Sequence, residues 1–204
     1  IGFHIIYNML VNSCEGAVLK LRSNNTDPKH YNHISNRASK YLYIIYPEVI
    51  ELKIEFKSDR RAESYATIKN SKAKIVIARE AHIDVIFNHE IAHILFHVVA
   101  TRPDRQLLGS INSFYELIKQ HGIIRLLSES NYLTYPSLGH PEDSPSEMFA
   151  SLYNLLMLLN SNLINNIQRE FIRTNLKLLS NNFPELNQIL KQIQQYMPEI
   201  DLKI

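Results

Sequence analysis

Ile83-Asp84-Val85-Ile86-Phe87-Asn88-His89-Glu90-Ile91-Ala92-His93-Ile94-Leu95-Phe96-His97-Val98-Val99-Ala100 is the stretch on which the fold turns. At ~100° per residue its apolar side chains cover most of the circumference, which predicts a helix over 83–100 that is buried between layers. Its ionisable residues are not scattered. With the preceding His82, they place His89, Glu90, His93 and His97 within an arc of roughly 100°. Ionisable groups are costly to bury unless they are paired or bind a metal, so a narrow stripe of them on a buried helix needs a partner.

Two histidines four residues apart on a helix are separated by about 40° around the axis and ~6 Å along it, so His89 and His93 can converge on one ion. Glu90 follows the first of them at the edge of the same stripe, in the position of a general base that acts on water activated by the metal. With 9 His among 204 residues, a His-Glu-x-x-His pattern arises by accident in roughly 3% of chains of this composition. Uncharged flanks, Ile86, Phe87, Ile91, Ala92, Ile94 and Leu95, lower that further. The bland alternative is a histidine pair satisfied by hydrogen bonds inside a core. His97 lies roughly 12 Å along the axis from His89, too far to share an ion on an unbroken helix, and reads as a supporting or packing residue. Asp84 in the first turn suits the positive end of the helix dipole.

Outward from this helix, Glu51-Leu52-Lys53-Ile54-Glu55-Phe56-Lys57 alternates polar and apolar residues, the period of a half-buried strand. Tyr65 to Lys69 and Lys74 to Ala78 read as two more strands joined by Asn70-Ser71. Residues 5 to 22 and 33 to 46 read as helical, the second ending at Pro47. The turn formers of Ser23-Asn24-Asn25-Thr26-Asp27-Pro28 lie between them. Further helices are predicted near 110 to 121, 145 to 160, 163 to 179 and 184 to 197, the last opening at Asn182-Phe183-Pro184-Glu185. The expected fold is α+β in one domain over 1–204. A small N-terminal sheet packs on the motif helix in an α/β part to about residue 100, and a mostly helical half follows.

His89-Glu90-Ile91-Ala92-His93 resembles the active-site signature of the zincin metallopeptidases, which implies a zincin-like fold, Zn2+ as cofactor and peptide hydrolysis. A metzincin would carry Gly and His where this chain has Phe96 and Val99, so that branch is excluded. The run Glu147-Met148-Phe149-Ala150 with Tyr153, opening an apolar predicted helix, is similar to the glutamate helix of gluzincins of the lethal factor and Pro-Pro endopeptidase group. That resemblance implies Glu147 as the third metal ligand beside His89 and His93. Ser144-Pro145-Ser146-Glu147 equally reads as a capping box with Glu147 at its third helical position. Glu142, Asp143 and Glu185 are the rival carboxylates, and Tyr153 is read as a core residue. Those families place a Tyr seven residues before the Glu to hold the oxyanion. Here that position is His140, with Tyr132 and Tyr135 further back, so His140 is the candidate and the two tyrosines its alternatives.

Composition narrows the function by exclusion. A net charge of +2 with 21% charged residues and scattered Lys and Arg gives no basic stripe for nucleic acid. One cysteine, Cys14, rules out an intramolecular disulfide framework. No window reaches ~18 uninterrupted apolar residues, which argues against a membrane span. The run from Ile1 to Leu10 lacks a basic flank and is broken by His4, Tyr7 and Asn8, unlike a signal peptide. The sequence starts without Met, so a leader could have been lost.

The early position of the motif in a small Ile- and Asn-rich chain resembles the RavK-like actin-cleaving effector peptidases of intracellular pathogens. This implies actin as the protein substrate of a monomeric bacterial effector acting in a host cytosol. Two alternatives remain. One is a cytoplasmic regulatory peptidase similar to ImmA and IrrE, which the 53 residues between His93 and Glu147 disfavour. The other is an interaction protein with an inert zinc site, which would have no use for a base at Glu90.

Overall fold

A computed structural model of the chain describes residues 11–14, 17–23, 27–57, 63–78, 82–103, 105–128 and 140–198. It is α+β, with a small mixed sheet in the N-terminal part and helices and turns in the described residues after 82. Contacts divide the chain into two compact units, Ile1–Ile94 and Leu95–Ile204, with the boundary inside one continuous helix.

The first unit is built on five strands in the order β1 (Val11–Cys14), β2 (Ala17–Ser23), β3 (Glu51–Phe56), β5 (Lys72–Ile77), β4 (Tyr65–Lys69). Strand β3 buries Leu52, Ile54 and Phe56 and turns Glu51, Lys53 and Glu55 outward, as its period-2 pattern predicts. Strands β4 and β5 form an antiparallel hairpin closed by Asn70 and Ser71, at φ 51° and 57°. These are the left-handed angles a two-residue hairpin turn requires. The hairpin lies where the sequence places it, although β5 begins at Lys72, two residues ahead of the expected Lys74.

The helix expected over 5 to 22 is corrected for its described residues: Val11–Cys14 and Ala17–Ser23 are strands, and 5–10 and 15–16 lie outside the described residues. Ala17, Leu19, Leu21 and Ser23 are buried and the residues between them are not, a period of two that the helix-favouring Ala, Leu and Lys content had masked. Parallel pairing of β2 with β3, Leu19 to Leu52 and Leu21 to Ile54, secures that register. The second expected helix, 33 to 46, is also redrawn. It comprises α1 (Pro28–Ser39) and α2 (Leu42–Ile45), and it starts earlier because Asp27 caps it by accepting from the Lys29 N–H at 2.8 Å, with Pro28 at the first helical position. Tyr46 is extended ahead of Pro47, which ends α2. Together α1 and α2 form the crossover that parallel strands need, and both pack on β2.

The outward face of this sheet is held by charge. Lys20 pairs with Glu51 at 2.5 Å and Lys74 with Glu55 at 2.8 Å. The hydrogen bond from Lys74 holds the Glu55 carboxyl below its ordinary range, and the bond from Lys20 does the same for Glu51. In return, Glu55 raises Lys74.

Helix α3 (Ile83–Thr101) runs from the first unit into the second. It alone among the described residues has the length and hydropathy to cross a membrane, but most of its surface is buried. In the second unit follow α4 (Gln106–Gln120), α5 (Pro145–Leu159), α6 (Asn166–Asn182) and α7 (Glu185–Gln194). Helix α5 is buried almost all round, Leu152, Leu155, Leu156 and Leu158 included. Helix α6 begins three residues after the expected 163, because Asn165 and Gln168 close a capping box there.

Candidate metal centre

The N-terminal turns of α3 are tied to α1. Arg37 Nη1 donates to Asp84 Oδ1 at 2.5 Å and Nη2 donates to Asn88 Oδ1, while the guanidinium lies 5.0 Å from the Phe87 ring centroid. His33 Nε2 bonds the same Asp84 oxygen at 2.7 Å, and Tyr41 meets Phe87 edge-on at 5.9 Å. Asp84 is thus an ion-pair partner as well as a helix-dipole residue. Reading the chain linearly missed Arg37, His33 and Asn88. Their pairing joins residues about fifty positions apart, and no local pattern announces it.

One turn on lie the motif residues of the stripe, whose first member, His82, is exposed. His89 and Glu90 are buried and His93 is half-buried. The Nε2 atoms of His89 and His93 face each other at 3.2 Å, with ring centroids 4.8 Å apart and planes at 83°. His97, one turn further, is half-buried, and its carbonyl accepts from the Thr101 hydroxyl at 2.9 Å. It is not in the ligand group.

In the second unit, the last turns of α3 pack on α5 through Phe96 and Phe149, 5.7 Å between centroids. Tyr153 is fully buried, as read, and its hydroxyl donates to the Tyr196 carbonyl at 3.4 Å. Extended Ser144 caps α5, its Oγ accepting from the Glu147 N–H at 3.1 Å with Pro145 at the first helical position. That bond uses Glu147's backbone, so the capping reading and the ligand reading are compatible. His89, His93 and Glu147 each offer a ligand atom, and the three atoms lie within 4.8 Å of one another, a group that can hold a metal ion.

The rival carboxylates are placed elsewhere. Glu142 is exposed and accepts from the Ser128 hydroxyl at 3.0 Å, while its carbonyl accepts from the Tyr115 hydroxyl at 2.6 Å. Asp143 and Glu185 are exposed. His140 is exposed in the turn before α5, where its carbonyl accepts from the Asp143 N–H at 2.9 Å. Tyr132 and Tyr135 lie outside the described residues.

No protein-family model matches the chain, and no curated protein matches it.

Proposed function

We propose that the chain is a zinc metallopeptidase, with His89, His93 and Glu147 as zinc ligands and Glu90 as the general base. The observation that carries this is the convergence of two imidazoles and a distant carboxylate within 4.8 Å, with Glu90 buried beside the first of them. Two nitrogens bound tetrahedrally at the usual Zn–N distance stand about 3.3 Å apart. The two Nε2 atoms here stand 3.2 Å apart. A ligand set of two His and one Glu leaves a fourth position for reactants, as in catalytic rather than structural zinc sites. When bound, the ion polarises the scissile carbonyl and makes water acidic enough to deprotonate near neutral pH. Glu90 then takes the proton as the water oxygen bonds to the carbonyl carbon, and delivers it to the amine nitrogen as the C–N bond breaks. The oxyanion is assigned to His140, with Tyr132 or Tyr135 as its alternatives.

Actin is the first substrate to test, on the resemblance of the motif's placement to the actin-cleaving effectors, and a host-cell lysate is the second. Zinc-loaded protein should cleave a protein substrate, and a chelator should stop it. Zinc binding at His89 and His93 without any hydrolysis in actin or lysate would leave the inert-site alternative in its place.

A further inference from the structure

We infer that Arg37 is a positioning residue for the metal centre, the brace that holds the first turns of α3 so that His89 is presented for ligation. The inference rests on the metal-binding reading of His89, His93 and Glu147. Within α3, His89 is only two turns from the start, where backbone N–H groups lack intrahelical partners and helices fray. A ligand in such a place needs support from outside its own helix. Arg37 supplies it by spanning one full turn. One arm of the guanidinium holds Asp84, the other holds Asn88, and its face covers Phe87 between them.

Asn88 is the residue before His89 and is 1% exposed, so its amide oxygen would be costly to leave without a donor. The brace is itself anchored, because α1 packs on β2 and its Tyr31 lies 6.0 Å from Phe56 in β3. Arginine is the side chain this geometry demands. A planar fork reaches two acceptors a helical turn apart, whereas a lysine ammonium is a point charge that satisfies one of them.

The test uses the full chain with Zn2+ in competition with a chromophoric chelator, and with Co2+ as a spectroscopic probe of ligand geometry. Arg37→Ala and Asn88→Leu should each weaken Zn2+ binding by about tenfold or more, in the range seen when groups that orient metal ligands are removed. Both should alter the Co2+ ligand-field band. Asn88→Asp keeps an acceptor for the fork and should bind Zn2+ as the wild type does. Arg37→Lys should fall between wild type and Arg37→Ala, and it serves as the folding-tolerant variant. Because one brace is being cut, the double variant Arg37→Ala/Asn88→Leu should be no weaker than the worse single. A merely structural Arg37 would lower the melting temperature of the metal-free and metal-loaded forms equally and leave the Zn2+ affinity and Co2+ spectrum unchanged, which would overturn the inference. Wild-type protein that bound no Zn2+ would overturn the metal reading itself, a result distinct from a bound ion insensitive to Arg37.

Discussion

The Nε2 atom of His89 stands 3.2 Å from the Nε2 atom of His93, one turn along the same helix and with the two rings nearly perpendicular. Two electron-rich nitrogens this close are favourable with a proton or a cation between them. The Glu147 carboxylate completing the group favours the cation. Zn2+ should therefore raise the melting temperature of the wild-type protein. His93→Ala and Glu147→Ala should lose that rise together with bound zinc measured by elemental analysis. A Glu147→Ala variant with wild-type zinc affinity would remove Glu147 from the ligand set.

Glu90→Gln separates holding the ion from using it. The variant should keep zinc near one equivalent while proteolysis falls by roughly 10²–10⁴-fold, the usual contribution of a general base. Active-site titration and elemental analysis on the same preparation would check it. A fall of less than tenfold with zinc retained would remove Glu90 from the mechanism.

Ser144→Ala removes the hydroxyl that accepts from the Glu147 N–H. Loss of an N-cap costs about 1 kcal/mol, which denaturant titration can measure. Because the capped N–H belongs to Glu147 itself, zinc affinity should fall as well. Ser144→Asp should restore both, since aspartate caps as well as serine.

Acid should weaken the sheet through its lowered carboxylates. Glu55 and Glu51 have folded pKa values below their ordinary value of 4.5, so they bind fewer protons folded than unfolded. Their stabilisation is fully present above that value and is lost as pH falls below it and through the folded values. Thermal unfolding between pH 3 and 7 should show Glu55→Gln with a shallower acid decline than the wild type, the two curves converging at the low end. Parallel curves would remove the Lys74–Glu55 pair as a source of acid sensitivity.

Much of this molecule is legible in local pattern. The alternation from Glu51 to Phe56 places β3, the Asn70-Ser71 pair marks the hairpin, and the helical stripe brings His89, Glu90 and His93 onto one face. What local pattern could not show is pairing at a distance. Leu19 and Leu21 look helical until β1 and β3 offer them strand partners, and the α1–α2 crossover is what returns the chain as β3 beside the Ala17–Ser23 segment. The same limit hid Arg37, whose role depends on α1 lying against α3. Glu147 was reachable as a carboxylate opening a strongly apolar helix, together with a resemblance, since 53 residues separate it from His93 and no periodicity spans that gap.

The sheet's topology also sets a timetable. Strands β4 and β5, like β1 and β2, meet across two residues, whereas β2 and β3 meet only after the chain from 24 to 50 has been closed into a loop. By loop-closure scaling that difference is worth about 2 kcal/mol of entropy. The two hairpins, β1–β2 and β4–β5, should therefore form first, with β3 joining β5 and the pairing of β2 with β3 closing last. Truncating Ile75 in β5 to Val should slow refolding, while truncating Leu19 in β2 to Ala should mainly speed unfolding. The ribosome would then release β1 and β2 before the β3 edge that β2 pairs with exists, leaving Leu19 and Leu21 exposed to other chains during translation.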